Sequence, residues 1–174
     1  RGKMKHRAIL IVLSFIVGGC ASYNWKSSVP VEKRTIGVPV FRNESDIMRL
    51  GVVSATQVAR EFQREGTFKI TNNPSYELQG IIKSASTSSL NITRANVMRT
   101  KEHIITAEAE ITLIDKSSNK IVIDGKTYKA RTTVLSGQDI ITAERDASGR
   151  LAEDFARQIV DDVIHFTSKQ EESK

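Results

Sequence analysis

Apolar and polar positions along this chain follow two different periods, and the switches between them mark its elements. The clearest stretch lies past the middle. Ile105, Ala107, Ala109, Ile111 and Leu113 alternate with Thr106, Glu108, Glu110 and Thr112, the period of two of a strand with one buried and one wet face. Tyr76, Leu78 and Ile82 set the same period in an earlier strand. Its apolar face then lapses through Ser84-Ala85-Ser86-Thr87-Ser88-Ser89 while the extended character persists. This predicts a strand that runs past the core into a projecting hairpin, with the 105–113 strand as its return arm. Asp115-Lys116-Ser117-Ser118-Asn119 supplies the next turn. Ile121 and Ile123 open a further strand, and the phase shifts near Gly125 so that Tyr128 and Ala130 fall inward, as a bulge there would produce.

Upstream, residues 34–41 read as a strand with Ile36, Val38 and Val40 on one face. Pro39 cannot donate to a ladder, which points to an edge strand or a free donor position. Arg42-Asn43-Glu44-Ser45 turns the chain into a helix over Val52 to Glu65, with Val52, Ala55, Ala59 and Phe62 on one face and Val58 beside them. Gly66 stands where a left-handed cap is favoured. Phe68-Lys69-Ile70 is a short strand, broken by Asn72-Asn73-Pro74, so the domain opens as β-α-β. The last element is a helix from roughly Asp139 to Phe166, with Ala152, Phe155, Ala156, Ile159 and Val163 on one face. Its outer face reads as acidic: seven acids between Asp139 and His165 stand against Arg145, Arg150 and Arg157. Gly149 costs about 1 kcal/mol against alanine in a helix interior, which leaves a later start at Gly149 open. The elements add up to an α+β fold, two helices packed on one face of a mostly antiparallel sheet of about four to five strands, an α/β sandwich.

One segment obeys neither period. Lys3, Lys5 and Arg7 precede an apolar run from Ala8 to Val17, interrupted only by Ser14, and Gly18-Gly19-Cys20 follows with the only cysteine in 174 residues. A basic n-region, a short h-region and small residues make a secretory signal, and about ten apolar residues are too few to cross roughly 30 Å of hydrocarbon. Met4-Lys5-His6-Arg7 reads as the natural start. A cysteine directly after the small residues resembles a bacterial lipobox. That resemblance implies cleavage before Cys20, a diacylglycerol thioether on its sulfur, and acylation of the new amine by a chain such as palmitate. The expected organisation is a signal peptide over 1–19, a lipidated N-terminus and tether over 20–33, one domain over 34–167 and a flexible tail over 168–174. Ala21, where an Asp commonly marks retention in the inner membrane, favours the outer membrane and anchorage at its periplasmic face.

Charge changes its meaning once the signal is set aside. The whole chain has 26 Lys and Arg against 20 Asp and Glu, a net of +6. Arg1, Lys3, Lys5 and Arg7 belong to the signal, so 22 basic and 20 acidic side chains remain, a net of +2. Nothing in that balance favours a nucleic-acid partner. Catalytic signatures are missing too. His6 leaves with the signal, His103 and His165 have no metal-ligand motif around them, and no phosphate-binding glycine loop or nucleophile elbow occurs. Glu108 and Glu110 share a strand face, which reads as a solvated face rather than a carboxylate pair. The chain therefore reads as a non-enzyme with no cofactor beyond the covalent lipid on Cys20. From Leu78 to Lys101 there are Lys83, Arg94, Arg99 and Lys101 and no acid, a local field suited to an anionic partner.

In order, the lipobox, a short tether, Thr35-Ile36-Gly37-Val38-Pro39-Val40-Phe41-Arg42-Asn43-Glu44-Ser45, a helix ending Phe62-Gln63-Arg64-Glu65-Gly66, Tyr76-Glu77-Leu78-Gln79-Gly80-Ile81-Ile82 and a closing Ala/Ile/Val-faced helix resemble the lipopolysaccharide-assembly lipoprotein family, LptE. The resemblance implies the sandwich fold and a seat inside the outer-membrane β-barrel LptD, as the plug of a translocon delivering lipopolysaccharide to the outer leaflet. It also implies direct contact with lipopolysaccharide through basic residues, for which Arg94, Arg99 and Lys101 are candidates by local charge. A rival reading is a lipoprotein activator of a periplasmic cell-wall synthase. Only about a dozen residues separate Cys20 from the first strand, at most about 40 Å of chain, which favours work beside the membrane.

Overall fold

The computed structural model describes residues 33–90, 102–135 and 140–172. Its elements are β1 (Thr35–Gly37), β2 (Arg42–Asn43), α1 (Leu50–Glu65), β3 (Lys69–Ile70), β4 (Tyr76–Leu90), β5 (Glu102–Asp115), β6 (Lys120–Leu135) and α2 (Ile140–Glu172). The sheet runs β3-β1-β4-β5-β6, with β2 pairing β4 further along the flank that β1 occupies. β4, β5 and β6 form an antiparallel meander, whereas β1 lies parallel to β3 and β4, and β2 parallel to β4. The sheet is thus mixed, with six strands. The parallel pairs arise because β1 and β2 precede the α1 crossover and their partners follow it.

Both helices cover one face of the sheet. Phe62 of α1 and Phe155 of α2 are fully buried, and Phe62, Phe68 and Tyr76 form two successive edge-to-face contacts at 5.8 and 5.9 Å. Alanines at 107, 109 and 130 line the inner face of β5 and β6, opposite Ala147, Ala152 and Ala156 on the buried face of α2. Small residues on both layers bring helix and sheet close, while Leu151, Phe155 and Ile159 supply the bulk. The bulge expected at Gly125 is present: Leu113 pairs Ile123 and Ile111 pairs Lys126, so two residues oppose Thr112. Gly125 takes φ 54°, and its N–H donates to the Thr112 hydroxyl at 3.3 Å.

The first strand departs most from its periodicity. β1 ends at Gly37 and lies between β3 and β4, so it is not an edge strand, and Pro39 falls outside it. Val40 is 66% exposed, and Phe41 is the buried residue instead. Helix α1 starts at Leu50, which turns Leu50, Ser54, Val58 and Phe62 inward and leaves Val52 exposed. Gly149 does not delay α2, which begins at Ile140 and continues past Phe166 to Glu172. Beyond Phe166 the helix keeps Thr167 buried, its hydroxyl donating to the carbonyl oxygen of Val163 at 2.7 Å.

Candidate functional site at the far end of the long strands

The three long strands extend together to one end of the molecule, where Leu90 pairs Glu102 and Glu102 pairs Leu135. The tip of the projecting hairpin expected there lies outside the described residues, and its described arms are only partly exposed. On the return arm Ile105 and Ala107 are buried, as are Ala130, Thr132 and Val134 of β6, because α2 roofs both strands. Ser84, Ser86, Thr87 and Ser88 of β4 are exposed. Cys20, Arg94, Arg99 and Lys101 lie outside the described residues. Lys83 is engaged: at a second bulge, between Ile82 and Ser84, it pairs with Glu44 at 3.0 Å, and Arg42 reaches the same carboxylate at 2.5 Å. The hydrogen bond from Lys83, opposed by slight desolvation and aided by the Arg42 charge, holds Glu44 below the ordinary carboxylate range.

The segment that carries the family resemblance lies below this end, at the level of Gly80 to Ile82 in the first half of β4. The Phe41 ring lies against Gly80 of β4, where a Cβ would stand 2.6 Å from two ring carbons. Its carbonyl oxygen faces Gly51 of α1, where a Cβ would stand 2.3 Å away. Phe41 is thus a wedge between sheet and helix, and both glycines are small because of it. Asn43 then organises the loop: its Oδ1 accepts from the Ser45 N–H and hydroxyl at 3.1 and 2.7 Å, and its amide donates to the Ile47 carbonyl at 2.9 Å. Arg49 enters α1 in the left-handed region, φ 66°, and leaves Met48 80% exposed. A cleft of about 420 Å³ opens there, between Ile47, Met48 and Val53 on one side and Glu144, Arg145 and Ser148 of α2 on the other. Sequence reasoning missed the wedge. Its available signal was an isolated glycine within a helical and within a strand pattern, which marks close approach.

The opposite border of the sheet is closed. On α2, Arg150, Asp154, Gln158 and Asp162 form one row at a spacing of four. Arg150 donates to the Thr133 carbonyl at 3.2 Å, Asp154 accepts from the Arg131 N–H at 3.4 Å, and Gln158 donates to the Lys129 carbonyl at 3.0 Å. Four helix residues rise about 6 Å and two strand residues nearly 7 Å, so the row stays in step with the outward backbone groups of β6. At its end Asp162 binds Lys126, whose ammonium lies 5.4 and 5.2 Å from the ring centroids of Tyr128 and Phe166. Two of the seven acids assigned to the outer face, Asp154 and Asp162, therefore face the sheet edge. The Tyr128 hydroxyl is buried beside Asp162 without a well-formed hydrogen bond, and burial, then that carboxylate, push its ionisation far up.

Elsewhere the polar groups serve structure. Burial raises the Asp115 carboxyl, but hydrogen bonds from Ser117 and Ser118 outweigh it and leave the group below its ordinary value. Glu108 pairs with Lys129 at 2.6 Å across the uncovered sheet face. Among the described residues no cluster of His, Cys, Asp or Glu could hold a metal, and no helix is long and apolar enough to cross a membrane.

The described residues thus form a two-layer α/β sandwich with a guarded sheet edge and a structural wedge. The chain belongs to the LptE family, described as lipopolysaccharide-assembly, whose model matches residues 34–163. That family comprises outer-membrane lipoproteins that act in assembly rather than catalysis. No curated protein sequence matches the chain. Among solved structures, a hypothetical protein from Chlamydia trachomatis is similar at a TM-score of 0.54 and 12% identity, covering 78% of this chain and 98% of that one. A Xanthomonas campestris protein gives 0.52 at 11% identity, covering 81% and 88%. A homologue of a neuraminyllactose-binding hemagglutinin from Helicobacter pylori gives 0.52 at 8%, covering 80% and 93%. At these identities the likeness is one of fold.

Proposed function

We propose that this protein is an outer-membrane lipoprotein, anchored at the periplasmic face through a diacylglycerol on Cys20. It sits as a plug within an LptD-like β-barrel that inserts lipopolysaccharide into the outer leaflet. The observation that carries this reading is the family match across residues 34–163. A rigid body suits a plug, and the α2 row along β6 supports rigidity by satisfying an edge that would otherwise pair at random. The protein does no chemistry in this role and needs no cofactor beyond its lipid. Arg94, Arg99 and Lys101 are its contacts to lipopolysaccharide phosphates, arginine gripping them in a bidentate fashion.

The test is charge reversal. Replacing Arg94, Arg99 and Lys101 with glutamate lowers lipopolysaccharide binding and its salt dependence, with the melting temperature unchanged. Unchanged lipopolysaccharide binding in that variant overturns the assignment of these three residues. For the anchor, Cys20→Ala gives an uncleaved or released chain, since stable attachment needs more than one acyl chain. Normal membrane retention in that variant refutes it.

A further inference from the structure

The two borders of the sheet are treated differently. Along β6, the outward backbone groups of Lys129, Arg131 and Thr133 are met by α2 side chains. Across an antiparallel ladder these groups alternate in direction. Lys129, Arg131 and Thr133 pair in register with Glu108, Thr106 and Ile104, whose backbone groups therefore bond to β4. Ala107 and Ile105 bond to β6, which leaves their β4 partners, Ala85 and Thr87, turned away from β5, and Ser89 with them. On that open side β2 stops at Asn43, opposite Ile82, and the Glu44 N–H to the Ile82 carbonyl is the last bond. Beyond it, no strand among the described residues pairs with β4. Lys83 and its bulge stand at the start of this edge, with the lysine tied to Glu44; from Ser84 to Leu90 no lysine, proline or further bulge, the devices that usually guard an edge, occurs.

We infer that this edge receives an extended segment of a partner protein, which adds a strand to β4 at Ala85, Thr87 and Ser89. The segment carries bulky apolar side chains at alternate positions. The added strand continues the lane of β2, directly past the point where the Asn43–Arg49 loop rises into α1. Its helix-side residues meet Ile47, Met48 and Val53, the apolar part of a cleft wall that Asp46 and Arg49 share. On the far wall, Arg145 and Ser148 belong to the turns just before Arg150, which bonds Thr133 at the level of Ile104 and Ser88. Cleft and open edge therefore lie at one level. The pairing selects the class of occupant. Backbone donors and acceptors are satisfied by another backbone, which an acyl chain lacks. A second copy's β4 would bring only Ala85 and Thr87 to the cleft, too small to fill it. Main-chain bonds to an edge with pockets for alternate side chains is the general logic of strand addition. This inference does not require the partner to be the barrel.

The experiment uses the full-length protein in its own membrane, with a photo-crosslinking amino acid at Met48 or at Ser86, and at Thr127 on the uncovered face as control. The expected result is that Met48 and Ser86 crosslink to one short segment of one partner polypeptide, mapped by mass spectrometry, and the control does not. Thr87→Pro removes an N–H offered to the incoming strand while Ser86 and Ser88 keep their bonds to β5. It lowers the Met48 yield about tenfold, the scale of one backbone hydrogen bond with its geometry. Ser86→Lys, which leaves every backbone bond in place and guards the edge with charge, lowers it similarly and serves if the proline variant melts early. Crosslinks to a second copy, to residues 20–32 of the same chain, to lipid, or to scattered sites overturn the inference. So do crosslinks that persist undiminished in a folded Ser86→Lys protein.

Discussion

Gly80→Ala isolates the wedge, because it adds one methyl group at a position with no positive φ to relieve. In an ordinary strand interior this change is favourable by about 0.5–1 kcal/mol, through lost chain entropy in the unfolded state. Here the added Cβ stands 2.6 Å from Phe41 Cδ1 and Cγ and 2.8 Å from Cδ2, about an ångström inside van der Waals contact. The ring cannot simply lift, since the Phe41 carbonyl is held 2.3 Å from the Cβ position of Gly51 beneath α1. Overpacking costs about 1–3 kcal/mol, and a clash this deep against a ring whose backbone is pinned falls in the upper half of that range, so the sign reverses and the net loss is about 1–2 kcal/mol. For a domain of this size that lowers Tm by about 3–8 °C. Urea melts of the soluble domain measure it, together with the double variant Gly80→Ala/Phe41→Leu. A smaller side chain relieves the clash, so the two substitutions destabilise less together than their separate costs add up to. If Gly80→Ala is as stable as the parent, or the two costs are additive, Phe41 is not a wedge and the account of how sheet and α1 meet there fails.

Gly149→Ala in α2 meets open space and a helical backbone, so it raises stability by up to about 1 kcal/mol, read from the urea midpoint. Phe155→Ala or Phe62→Ala each costs about 3–5 kcal/mol in the same assay, since both rings are fully buried. Tyr128 gives an alkaline limit. Its folded ionisation is raised by burial and Asp162, so the unfolded chain releases the phenol proton first, and stability falls as pH rises above about 10. Tyr128→Phe removes that slope in denaturant melts taken between about pH 9 and 11.

What the sequence made legible is what period alone controls. The 105–113 alternation, the apolar stripe of α2 and the Gly125 bulge each appear as read, because burial on one side of a regular element leaves a regular trace. Residues 34–45 do not appear as read, because their pattern has two causes. Ile36 is set by the strand, but Phe41 is set by a contact to two glycines that are distant in sequence, and Val40 is exposed in consequence. The parallel pairing of β1 and β2 likewise depends on where α1 crosses, which no local period encodes. The guarded edge was hidden for a related reason. Asp154 and Asp162 look like solvated acids until the register places β6 beneath them. Of the acid-free run's basic residues only Lys83 lies among the described residues, and it is tied to Glu44 by a loop that only the fold brings near.

The central claim is partnership with a barrel, and affinity purification of the full-length chain from outer membranes in mild detergent tests it most directly. The account predicts a stoichiometric complex with one large β-barrel protein that resists salt and whose barrel fails to mature when this chain is depleted. Recovery of the chain alone, or with a cell-wall synthase in place of a barrel, contradicts it.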